Sequence, residues 1–344
     1  MTIRWGIIGC GSVTEVKSGP GFQKAEGSEL VAVMRRTGGL ARDCAKRHGV
    51  PRWYDDARKL IEDPRVDAVY VATPPGSHME YALQAAAAGK PAYVEKPMAR
   101  NHAECGRMID AFSAAGLPLF VAYYRRCLPK FVKAKEIIDA GRLGKVTGVC
   151  CRLAMPPPGA NDRTRAGWHL NAEQSGGGLF MDVGCHTLDI LDYLMGPLSD
   201  VRGSAANLAG VGNVEDAVAM SFRLPEGALG TGQWNFASAV NEDLIQITGE
   251  QGRLTLSTFG AEPMRLVRQE GQEESFDLPN PPHVQQPLIQ TIVDELRGRG
   301  RCPSHGESAA RTAKVMDIVL ADYYGGRDDA YWERPGTWPG RLND

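Results

Sequence analysis

No stretch of this 344-residue chain approaches the ~20 consecutive apolar residues that a bilayer-spanning helix needs. The first strand-like run starts almost at Met1, which leaves no room for a charged start and apolar core of a signal peptide and sets the expectation of a cytoplasmic protein. Charge of one sign is also lacking. Lys plus Arg number 39 against 41 Asp plus Glu, so the basic footprint of a nucleic-acid binder is absent at the level of the whole chain. The eight cysteines, at 10, 44, 105, 127, 150, 151, 185 and 302, contain no C-x-x-C pair and no Cys/His cluster with zinc spacing. They read as reduced core residues, with no metal site expected. Internal repeats and low-complexity segments are lacking too.

What is present is a chain long enough for two domains, with 43% hydrophobic and 23% charged residues. Short apolar runs at Arg4–Ile8, Leu30–Met34, Ala68–Ala72, Ala92–Val94 and Leu119–Ala122 alternate with helix-like stretches such as His78–Ala88 and Ala103–Ala115. That is the pattern of a parallel sheet built from βαβ units. After Tyr123 the pattern changes to longer strand-like runs between 146 and 257, joined by turn signals such as Pro225-Glu226-Gly227 and Gly249-Glu250-Gln251-Gly252. The expected fold is α/β plus α+β. An N-terminal Rossmann doubly wound parallel sheet (1–122, dinucleotide-binding) precedes a C-terminal open-faced, mostly antiparallel sheet domain (123–344, substrate-binding and oligomerisation).

Gly9-Cys10-Gly11-Ser12-Val13-Thr14 follows the first strand directly. Glycine permits a tight turn and lets backbone approach a pyrophosphate, and a helix N-terminus after it would point N–H groups at that anion. Gly9, Gly11, Ser12 and Val13 are therefore cofactor candidates, the alternative being a structural glycine turn. Arg35 and Arg36 close the second strand where an acidic residue commonly binds the ribose of NAD, which favours the 2′-phosphate of NADP, with NAD as the second choice. Lys96, in Glu95-Lys96-Pro97 at the end of the fourth expected strand, can hydrogen-bond a substrate oxygen. In the run Gly176–Asp189, helical spacing puts Asp182, His186, Asp189 and Tyr193 on one face. Such a face serves either acid/base work, for which His is suited, or only solvation. Trp234 reads as a sugar-stacking ring or as a buried sheet residue.

These segments together carry a resemblance. Gly9-Cys10-Gly11, Ala72-Thr73-Pro74-Pro75-Gly76-Ser77-His78, Glu95-Lys96-Pro97, Gly141-Arg142-Leu143-Gly144 and the run Gly176–Asp189 occur in the order and spacing of the Gfo/Idh/MocA oxidoreductases, and the chain resembles that family. The resemblance implies an NAD(P)-dependent enzyme that moves hydride between nicotinamide and a carbinol or carbonyl carbon of a sugar, inositol or related polyol. It implies that Lys96 contacts the reacting hydroxyl, that His186 is the acid/base and that Asp182 binds substrate and helps proton transfer. Thr73, Pro74, His78 and Glu95 would lie along the nicotinamide ribose and ring, and Pro97 would follow a cis bond. Tyr124, Arg125, Trp168 and His169 fall in segments that line the substrate site of the family. Partners would be a small sugar or polyol and further copies of the chain, as a dimer or tetramer through the C-terminal sheet, with no nucleic acid and no membrane. The alternatives within the fold are a non-catalytic dinucleotide sensor and an NAD-dependent glycosidase. Thr14 departs from the small third residue of the glycine fingerprint, which implies an unusual shape for that turn.

Overall fold

The computed structural model describes residues 1–11, 13–157, 159 and 167–341. The chain forms two compact units. The first comprises Met1–Ala99, Ala103–Leu128 and Asn280–Ala310; the second comprises Arg100–His102, Pro129–Pro279 and Arg311–Asp344. The third segment of the first unit thus comes from sequence assigned above wholly to the second domain.

In the first unit β1 (Ile3–Ile8), β2 (Ser28–Met34), β3 (Arg52–Tyr54), β4 (Ala68–Val71), β5 (Ala92–Val94) and β6 (Leu119–Val121) form a parallel sheet in the order β3-β2-β1-β4-β5-β6. Every residue of β4, β5 and β6 is buried. Successive strand side chains point to opposite faces, so both faces of this part of the sheet are covered, and the strands read as unbroken apolar runs. Trp5, Phe22, Tyr70 and Tyr93 fill the core as a ladder of rings, with Trp5–Phe22 at 4.8 Å, Phe22–Tyr70 at 5.2 Å and Tyr70–Tyr93 stacked at 4.8 Å. The late helix Gln286–Leu296 packs on the short helix Gly19–Lys24. The strand order reverses between β1 and β4, which opens a crevice at the carboxyl ends of those strands.

In the second unit β7 (Val146–Ala154), β8 (Ser199–Ala206), β9 (Ala217–Arg223), β10 (Leu229–Asn235), β11 (Glu242–Gly249), β12 (Gly252–Leu256), β13 (Met264–Arg268) and β14 (Glu273–Phe276) pair in the order β14-β13-β12-β11-β7-β10-β9-β8. All pairs are antiparallel except β7–β10, which is parallel. Burial alternates along β9: Val218, Met220 and Phe222 are inside, while Ala219, Ser221 and Arg223 are exposed. That is the period-2 signature of a sheet covered on one face. The turns at Pro225–Gly227 and Gly249–Gly252 close antiparallel hairpins. Trp234 is a core residue, 1% exposed and edge-on to Phe180 at 5.0 Å.

A buried arginine ties the ends of this unit together. The Arg327 side chain is 1% exposed. It donates to Asp317 at 2.8 Å and to the Arg100 carbonyl at 2.8 Å, and it lies over the rings of Tyr331 and Tyr324. Removing one partner of a buried ion pair leaves the other uncompensated. Arg327→Met is expected to lower the stability of the second unit by about 3 kcal/mol, read as a lower urea midpoint; an unchanged midpoint would show the pair to be energetically neutral.

Candidate active site

Each sequence-derived site segment is placed at the end of a strand or the start of a helix. The glycine turn leaves β1. Gly9 has φ of 95°, and a Cβ there would meet the Ala72 carbonyl oxygen at 2.7 Å, so only glycine lets the turns after β1 and β4 approach so closely. A Cβ at Gly11 would meet nothing nearer than 3.9 Å. The open space beside bare backbone suits a phosphate group, and the residues present therefore fit a dinucleotide. Val13 is exposed and Ser12 lies outside the described residues. The helix expected after the turn opens with a π-helical turn, Thr14–Ser18, and runs on as the α-helix Gly19–Lys24. Thr14 shapes it. Its hydroxyl donates to the Gly11 carbonyl at 2.8 Å, and the residue is buried.

Arg35 and Arg36 follow β2 and are both exposed. Arg35 reaches the Cys10 carbonyl at 3.4 Å. Arg36 lines an open cleft of about 430 Å³ together with Asp55, Asp56, Glu80, Tyr81 and Gln84. Beyond β4, Thr73 accepts from Ser77 at 2.8 Å, and the His78 ring lies between carbonyls, Nε2 2.6 Å from Thr73 O and Nδ1 3.1 Å from Pro97 O.

The Glu95-Lys96-Pro97 segment leaves β5, and the Lys96–Pro97 bond is cis. Glu95 is 7% exposed. Its carboxylate accepts from Tyr70 Oη at 2.5 Å, Gln285 Nε2 at 2.7 Å and the Lys96 amide at 3.1 Å, and Gln285 in turn accepts from Tyr93 at 2.9 Å. Tyr70, Gln285 and Tyr93 were not singled out from the sequence, since neighbours brought together by folding have no fixed spacing in the chain. Lys96 is half-buried. In the following segment Tyr124 and Arg125 are both buried, with the guanidinium 5.4 Å from the ring centre.

In the second unit the run after Gly176–Gly178 forms a π-helical turn, Phe180–Gly184, and then the α-helix Cys185–Met195. The simple helical face drawn through Asp182 and His186 is corrected by this. The π-turn carries i→i+5 bonds and shifts the phase between the two residues. Nor is the face a solvated one: His186 is 5% and Asp189 1% exposed, while Asp182 and Tyr193 are half-buried. Asp182 Oδ2 lies 3.4 Å from His169 Nδ1, and His169 stacks on Trp168 at 3.7 Å, so the structure gathers these three candidates. His186 meets the Phe259 ring edge-to-face at 5.6 Å. Phe259 is held by a residue the sequence did not single out: the Asp243 carboxylate accepts from the amides of Thr258, Phe259 and Gly260 at 2.8, 2.6 and 3.1 Å. Glu215, fully buried, accepts from the Gly178 amide at 2.9 Å and from Tyr324 Oη at 2.5 Å, which fixes the glycine run.

A β3-β2-β1-β4-β5-β6 sheet with a glycine turn at its switch point is a dinucleotide fold. The chain belongs to the Gfo/Idh/MocA oxidoreductase family. Residues 3–123 match the family model described as "Oxidoreductase family, NAD-binding Rossmann fold", and residues 131–255 match "GFO/IDH/MocA C-terminal domain". Oxidoreductase P35 of Formosa agariphila is 37% identical over 92% of this chain and 98% of its own length. Myo-inositol 2-dehydrogenase of Thermotoga maritima is 29% identical over 79% of this chain and 80% of its own. Among solved structures, the aldose-aldose oxidoreductase from Caulobacter crescentus complexed with glycerol superposes with a TM-score of 0.81 at 26% identity, covering 92% of this chain and 96% of that one. No helix of the described residues is long and apolar enough to cross a membrane.

Burial holds the His78 imidazole below its ordinary value of 6.5, although the Thr73 carbonyl and the Glu95 charge act in the other direction. The unfolded chain takes up this proton near pH 6.5 and the native one only at lower pH. The contribution of His78 to stability is therefore flat above pH 6.5 and falls as pH drops below it. Thermal unfolding of wild type and His78→Gln between pH 5 and 8 is expected to show a steeper acid-side loss in the wild type; parallel profiles would contradict the assignment.

Proposed function

We propose that this enzyme oxidises or reduces a carbinol carbon of a sugar, inositol or related polyol, with NADP as the preferred dinucleotide. The observation that carries the reading is the presence, on a Gfo/Idh/MocA chain, of Lys96, Asp182 and His186 at the family's motif positions. When bound, the nicotinamide supplies the redox step. The chain supplies position and proton traffic. Lys96 hydrogen-bonds the reacting hydroxyl. His186, its ring braced by Phe259, takes the hydroxyl proton in oxidation and returns it in reduction. Asp182, with His169 beside it, binds a further substrate hydroxyl, and Trp168, Tyr124 and Arg125 complete the substrate set. Gly9, Gly11, Ser12 and Val13 hold the pyrophosphate, and Thr73, Pro74, His78 and Glu95 border the nicotinamide ribose and ring. The similarity to a myo-inositol 2-dehydrogenase and to an aldose-aldose oxidoreductase supports the polyol class.

The NADP preference is supported by two exposed arginines after β2, one reaching the glycine turn and the other lining the adjoining cleft. A second copy of the chain covering the exposed face of the eight-stranded sheet is the assembly this reading carries. A reducing, cytoplasmic setting agrees with eight cysteines present as thiols, most of them buried.

The first test is absorbance at 340 nm across NADP(H) and NAD(H) with sugars, inositols and their keto derivatives. Lys96→Ala and His186→Ala are each expected to cut turnover by ~10²–10⁴-fold with NADPH affinity nearly unchanged. Wild-type turnover in both variants would sink the roles given them. Hydrogen bonds to charged groups contribute about 1.5–3 kcal/mol. Arg36→Ala should therefore raise KM for NADP by roughly 10- to 100-fold and leave KM for NAD within about threefold. An equal change for both cofactors would remove the 2′-phosphate from the account.

A further inference from the structure

The first unit gathers a second set of chemistry-bearing side chains that the dehydrogenase reading leaves unused. Glu15, Cys44 and His48 each offer one ligand atom, and the three atoms lie within 4.8 Å of one another. Glu15 comes from the π-turn Thr14–Ser18. Cys44 and His48 stand four residues apart on the helix Gly38–His48 and share a face. A second thiol, Cys10, lines the same small pocket as Cys44 and His48. Cys10, between the two glycines of the turn, is 2% exposed, and Cys44 is 5% exposed. Cys10, Cys44 and His48 line one small pocket of about 10 Å³, with Thr14 and Gln23 also on its wall. That is room for a single atom and not for an organic ligand.

Two thiols, an imidazole and a carboxylate are a soft-to-borderline donor set. Magnesium and calcium prefer oxygen alone, whereas zinc-like ions take this mixture in a tetrahedron. We propose that Glu15, Cys44 and His48, with Cys10 drawn in as the fourth ligand, form a binding site for one thiophilic divalent cation of the zinc class, joining the glycine turn to the first crossover helix. Ligands at 2.0–2.3 Å from zinc stand roughly 3.3–3.8 Å apart in a tetrahedron, so the Glu15, Cys44 and His48 atoms, within 4.8 Å of one another, close on an ion with movements of about 1 Å, and Cys10 completes the set by a larger side-chain movement. Binding releases the two thiol protons to solvent. The ion with two thiolates and one carboxylate then carries one net negative charge. Arg47 offsets it: its guanidinium already holds both Glu15 oxygens, at 2.6 and 3.0 Å, and stands 3.3 Å from His48 Nε2. The ligands come from two segments far apart in sequence, which is why no metal-binding spacing is visible in the chain. Cys10 is flanked by Gly9 and Gly11, so a cation here fixes the turn that faces the dinucleotide, and the two bindings are linked through it.

The test uses the full, reduced chain with Co²⁺ as the spectroscopic probe and Zn²⁺ as competitor. One Co²⁺ per chain is expected, with an intense near-ultraviolet thiolate-to-cobalt band, visible bands of tetrahedral strength, and displacement by Zn²⁺. Cys44→Ser should abolish the thiolate band, and His48→Gln should weaken Zn²⁺ binding by about tenfold or more. Thermal unfolding shows that each variant is folded; if Cys44→Ser is not, Cys44→Ala takes its place. Cobalt uptake without a thiolate band, or Zn²⁺ affinity unchanged in Cys44→Ser and His48→Gln, overturns the proposal.

Discussion

Each unit of this protein fixes its chemical segment by burying a carboxylate beneath it. A carboxylate removed from water is costly unless its oxygens are hydrogen-bonded, so the groups that satisfy it cannot move independently. In the first unit the carboxylate is Glu95, and one of its donors is the amide of Lys96 itself. A shift of that backbone would strip a buried acceptor of its partner. In the second unit it is Glu215, fully buried, which accepts from the amide of Gly178 at the head of the segment carrying Asp182 and His186. Burial raises the Glu215 pKa, while the Tyr324 hydroxyl, Arg327 and the Gly178 amide act against it. The two hubs are chemically alike: one acid, tyrosine hydroxyls, and a backbone amide from the segment to be held.

These hubs also explain why late parts of the chain return to early folded elements. Gln285 belongs to the segment Asn280–Ala310, and it completes the Glu95 set with its Nε2 while its Oε1 accepts from Tyr93. With a donor on one side and an acceptor on the other, the amide has one orientation that satisfies both. Arg327 does the same service in the second unit, bonding Asp317 and the Arg100 carbonyl beside Tyr324, the second donor to Glu215. The apolar cores determine that two units form. The polar hubs determine where, to within a hydrogen-bond length, the segments carrying the candidate side chains stand.

The sequence made the strands legible where burial is uniform or strictly alternating. Ala92–Val94 is observed as expected, and β1, β2, β4 and β6 differ from expectation by two residues or fewer at either end. β3, β13 and β14 were not anticipated, because strands of three to five residues with mixed exposure offer too few positions for either period to show. The candidate site residues could be named from the sequence where a motif is local: Gly9 and Gly11, Thr73 to His78, Glu95 to Pro97, and Asp182 with His186. Asp243 was not, since a carboxylate on β11 that collects the three amides of Thr258 to Gly260 looks in sequence like any polar strand residue. The pairing of His169 with Asp182 was likewise invisible, because a one-turn helix and a glycine run between them set no period.

The two π-turns are one device used twice. Thr14–Ser18 follows the glycine turn of the first unit, and Phe180–Gly184 follows the glycine run of the second. Each ends against a glycine that its geometry demands. A Cβ on Gly19 would press on the Thr14 carbonyl oxygen, and one on Gly184 would press on the Phe180 ring. A π-turn gives up ideal hydrogen bonding for one extra residue per turn, and it persists where surrounding packing favours that placement. In the first unit the extra residue lets Thr14 turn inward to bond Gly11 while Gly11 keeps an open side. In the second it leaves Asp182 half-buried beside His169, while His186, one turn on, is driven into the buried helix against Phe259. An unbroken α-helix would hold the acid and the imidazole one above the other on the same face. The wider turn gives them different depths and different neighbours, and such a separation of environments is what sets two ionisable groups apart in their proton affinities.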